Sequence, residues 1–73
     1  MEIRLTTHAA KRMREYGISR DQVERALDEV VATEIGGTAV AYDGTVDGRI
    51  LHVLVVRDSE PPLVITVWPV GED

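Results

Sequence analysis

His8 and His52 are the two side chains of this 73-residue chain whose protons move most easily near neutral pH. His8 lies four residues before Arg12, in Thr7-His8-Ala9-Ala10-Lys11-Arg12. On a helix that spacing turns both side chains to one side, where an imidazole and a guanidinium can meet at one phosphate or carboxylate. His8 would also fall in the first helical turn, where free backbone amides favour an anion. The same spacing describes a solvated helix face, with His8 near the N-cap and Arg12 paired to Glu15.

His52 interrupts the apolar run Ile50-Leu51-His52-Val53-Leu54-Val55-Val56. It shares alternation with Ile50, Leu54 and Val56, which predicts a half-buried ring bonded to a neighbour. Arg49 lies on the opposite parity and so on the other face of the strand. Thr66 and Trp68 share one face of a later strand, and an indole there either stacks on a base or fills a core or oligomer contact. With Phe absent, Trp68, Tyr16 and Tyr42 are the only large aromatics.

Other chemistries lack their residues. There is no cysteine, which excludes disulfides and thiolate metal sites. No His/Asp/Glu cluster has metal-ligand spacing, and Gly36-Gly37 lacks the strand-to-helix setting of a phosphate loop. Ser19 and Ser59 have no base nearby in the sequence. The reading is therefore one without metal or cofactor.

The elements that must position these residues change period once, near residue 31. A first helix is predicted at about residues 8–16, with Thr6 or Thr7 as N-cap and Gly17 as C-cap. A second is predicted at about 20–31, where Ser19 and Gln22 form a capping box and Ile18 can close on Val23. Strands are predicted at about 32–35, 38–46, 49–57 and 63–68, with hairpin turns at Gly36-Gly37 and Asp47-Gly48. Asp43-Gly44 could break the second of these or hold a bulge. The expectation is one α+β domain spanning residues 1–73: a helical hairpin packed on a four-stranded antiparallel meander.

Two helices cover only one face of such a sheet, yet the runs at residues 50–56 and 63–68 are apolar on both faces. That points to self-association or a bound partner through the second face. Net charge is −5, but residues 1–25 carry six bases and four acids, against two bases and nine acids beyond. Broad nucleic-acid binding is disfavoured, because phosphate neutralisation supplies most of that affinity. No apolar run approaches the ~20 residues of a membrane span, and no signal-peptide core is visible, which reads as a soluble cytoplasmic protein.

The segment from Thr7 to Ser19, THAAKRMREYGIS, resembles the HAxxRMxxRGIS opening of a family of small bacterial and archaeal proteins, and Thr66-Val67-Trp68 resembles its closing T-V-[YW] strand. The family is similar to the RelE/ParE toxin-like superfamily, which includes ribonucleases, gyrase poisons and inactive relatives. The resemblance implies a RelE-like fold and marks His8, Arg12 and Thr66 as signature positions. Arg49 falls where relatives often have a basic residue, whereas Tyr16 replaces the arginine of "RGI".

The resemblance implies metal-free RNA cleavage, with His8 as base or acid, arginines on the phosphate, and an antitoxin partner. The alternative is a non-catalytic homodimeric interaction module that uses the apolar sheet face.

Overall fold

The computed structural model describes residues 1–71. The elements are β1 (Arg4–Leu5), α1 (Thr7–Tyr16), α2 (Arg20–Asp28), β2 (Val30–Ile35), β3 (Ala39–Val46), β4 (Arg49–Val56) and β5 (Leu63–Pro69). They form one five-stranded sheet in the order β1-β5-β4-β3-β2, with both helices packed on one face.

This corrects the expected four-stranded antiparallel meander. The sheet is mixed: β1 runs parallel to β5, pairing Arg4 with Leu63 and Leu5 with Val64. Arg4 N donates to Pro62 O at 2.8 Å, and Thr6 N donates to Val64 O at 3.0 Å. A two-residue strand shows no periodicity, so only its tertiary partner reveals it.

The helix termini follow local chemistry. Thr6 Oγ1 accepts from Ala9 N and donates to Ile65 O, so one hydroxyl caps α1 and ties it to β5. Gly17 closes α1 at φ 66°, in the left-handed region. Ser19 Oγ accepts from Gln22 N while Ser19 N donates to Gln22 Oε1, completing the capping box.

α2 ends at Asp28, three residues before the predicted boundary. Val30 and Val31 continue the helical spacing of Val23, Ala26 and Leu27, but the sheet overrides it. Thr45 N takes the Glu29 carbonyl at 3.0 Å and Val30 enters register with Gly44. Gly44 does not break β3. Its missing side chain admits the α2 backbone, for a Cβ there would lie 1.8 Å from the Ala26 carbonyl oxygen.

The core lies between helices and sheet. Leu51 and Val53 of β4, Val64 and Val67 of β5, and Val23 and Ala26 of α2 are fully buried. Val64 and Val67 reach one face because the β4–β5 register slips between Leu54 and Val55. That bulge explains the uniformly apolar run in β5: Val64 and Val67 point inward, while Thr66 and Trp68 pair with Leu54 and His52 on the opposite face.

Candidate functional site

The helix-free face is assembled from alternate residues of the strands. One row runs Ala32, Asp43, His52, Trp68, and the next runs Glu34, Ala41, Leu54, Thr66. Register is set by the β3–β4 turn, where Asp47 and Gly48 both take positive φ (51° and 79°) and pair Val46 with Arg49. Three steps on, Asp43 meets His52.

His52 Nδ1 lies 2.7 Å from Asp43 Oδ1, and the two side chains keep 25% and 32% of their surface. An ionised carboxylate only accepts, so Nδ1 carries the shared proton and Nε2 of the neutral ring is left as an acceptor. The ring also stacks on Trp68, with centroids 4.4 Å apart and planes 21° apart. A depression of about 280 Å³ adjoins the pair, lined by Ala32, Thr33, Glu34, Ala41, Asp43 and His52.

The four residues marked by the family resemblance occupy three parts of the fold. His8 and Arg12 lie on α1: His8 is exposed, and Arg12 Nη1 donates to Glu15 Oε1 at 3.2 Å. Arg49 opens β4 on the alternation of Leu51 and Val53, which faces the helices. Thr66 stands beside Trp68 on the helix-free face, where its neighbours leave it 8% exposed.

Sequence reasoning recognised that His52 would bond a neighbour and that Thr66 and Trp68 share a face. It did not join them, because Asp43, His52 and Trp68 meet only through the registers of two separate hairpins. The Asp47-Gly48 turn held the signal for Asp43: counting back from it pairs residue 43 with residue 52.

The face is apolar around this row. Ile50 and Trp68 are 37% and 39% exposed, and Leu54 and Val56 are half-buried. Asp43 and Glu34 are carboxylates of this face, and Arg4 lies on β1 at the far edge of the sheet. Among the described residues, no group of three His, Asp or Glu side chains is placed to hold a metal ion. None of their helices is long and apolar enough to cross a membrane.

Residues 5–69 match the family described as Domain of unknown function (DUF4258), and the chain belongs to that family. No match was found among curated proteins or among solved structures.

Proposed function

We propose that this chain is a non-catalytic protein-interaction domain whose helix-free sheet face receives an apolar, basic segment of a partner. The supporting observation is the composition of that face: Ile50, Leu54 and Val56 of β4 and Trp68 of β5 share it with the carboxylates Asp43 of β3 and Glu34 of β2, with no lysine or arginine among them. A partner residue of opposite charge meets those carboxylates as the apolar side chains leave water.

The likeness to the RelE/ParE toxin-like superfamily enters as ancestry, with an antitoxin-like segment the natural form of such a partner. RNA cleavage fits the geometry less well. A polyphosphate chain on this face would meet two carboxylates, and Arg12 on α1 is engaged by Glu15.

The test is an amide-resonance titration with a synthetic amphipathic Leu–Lys peptide and its Leu–Glu counterpart. The Leu–Lys peptide is expected to shift residues of β3, β4 and β5 on the open face, and Leu54→Asp is expected to abolish the shifts while the fold persists. Equal response to both peptides, or shifts confined to the helices, overturns the reading. Expression that slows growth, relieved by His8→Ala, overturns the non-catalytic part and restores RNA cleavage at His8 and Arg12.

A further inference from the structure

The two edges of the sheet are finished differently. On one side, Arg4 N of two-residue β1, then Thr6 N and the Thr6 hydroxyl, take up the carbonyls of Pro62, just before β5, and of Val64 and Ile65 within it. On the other, β2 is terminal, and all six of its residues are exposed. Its sequence, Val-Val-Ala-Thr-Glu-Ile, is mostly β-branched, holds a single charge, and lacks lysine and proline; its one irregularity is a register shift against β3 between Val30 and Ala32, which leaves Ala32 to Ile35 in regular pairing. Val31 and Ile35 are 61% and 68% exposed.

We propose that a second copy of this chain docks on the free edge of β2, antiparallel about a two-fold axis at Thr33, joining two sheets into one of ten strands. Self-pairing that keeps both helical layers on one side must place residues of equal parity opposite each other. Centring on Glu34 would set like charges face to face, which is destabilising. Centring on Thr33 puts Thr33 across from Thr33, Glu34 across from Ala32, and Val31 across from Ile35. Each is a compatible cross-strand pair.

Ile35 pairs with Val40 on its own sheet, beside a helix-side depression lined in part by Leu27, Val40, Tyr42 and Val55. The second copy's Val31 therefore extends an apolar row that one chain leaves open. A six-residue edge is only about 20 Å long, short of the roughly 800 Å² per partner of stable complexes, so the dimer is weak and concentration-dependent. This contact is independent of the sheet-face reading, since it uses a different surface.

The experiment is sedimentation of the full chain from roughly 5 μM to roughly 500 μM, a range that brackets the affinity of a small interface. A monomer–dimer equilibrium is expected, weakened at least tenfold by Val31→Lys with Ile35→Lys and unchanged by Leu54→Asp. Because the chain lacks cysteine, Thr33→Cys supplies a sole thiol, which should form a disulfide-linked dimer on mild oxidation, whereas Ala41→Cys should not. A wild type monomeric throughout overturns the proposal. So does a lysine variant with wild-type affinity, dissociation by Leu54→Asp, or cross-linking through residue 41 alone.

Discussion

His52 and Trp68, sixteen residues apart in sequence, lie directly opposite on β4 and β5 with their rings stacked at 4.4 Å. Asp43 holds the imidazole from the other side at 2.7 Å. The row converts a lone histidine in an apolar strand into an oriented polar centre on the helix-free face.

Because Trp68 is the sole tryptophan, its emission reports on this stack. His52→Leu removes the stacked imidazole from the indole face while keeping an apolar side chain of similar size in the strand. The emission maximum and intensity at neutral pH are therefore expected to differ between wild type and this variant, with both folded. Superimposable spectra would show that the rings do not stack.

Local chemistry was legible where a few neighbouring residues decide the outcome. The capping box at Ser19 and Gln22, the left-handed cap at Gly17 and the Asp47-Gly48 turn each involve contacts within one turn of chain. Long-range pairing was not. β1 exists only through β5, and Val30 leaves its helical pattern only because Gly44 offers register. The site followed the same division: both histidines were marked from sequence, but the Asp43–His52–Trp68 row needed registers that no local pattern encodes.

Ser19→Ala removes the acceptor for Gln22 N and frees one reciprocal bond of the box. Loss of such a cap costs about 1 kcal/mol. In a domain of this size that lowers the melting temperature by roughly 4–8 °C. Ser19→Asp, which restores an acceptor, should recover most of the loss in a thermal-melt comparison.

Asp47 links the β3–β4 turn to α2, accepting from Arg25 Nη2 at 2.5 Å. That hydrogen bond, with a further one from Gln22, holds the Asp47 carboxyl below the usual aspartate range. The unfolded chain then binds the proton more readily than the folded one, so the contribution is present above the ordinary carboxylate value and is lost as pH falls through the depressed one. Asp47→Asn tolerates the same positive φ and keeps the turn. The wild type is expected to melt above this variant at neutral pH, the gap being small because both partners are solvent-exposed. It should close as pH falls below the ordinary carboxylate range. A gap independent of pH would mean that Asp47 acts through turn geometry alone.

Gly44 and Gly37 separate close approach from ordinary backbone freedom by the same one-carbon change. A Cβ on Gly44 would lie 1.8 Å from Ala26 O and 2.5 Å from its carbonyl carbon, whereas one on Gly37 meets nothing within 4 Å. The obstacle at Gly44 is helix backbone, which cannot swing aside like a flexible side chain, so α2 must lift from β3. Gly44→Ala should cost at least the upper end of the ~1–3 kcal/mol typical of overpacking. The lift would also loosen the Thr45–Glu29 bond that ends the helix. Gly37→Ala should stay within about 0.5 kcal/mol of wild type. Urea denaturation of the two variants checks the contrast, and near-equal midpoints would show that α2 does not rest against Gly44.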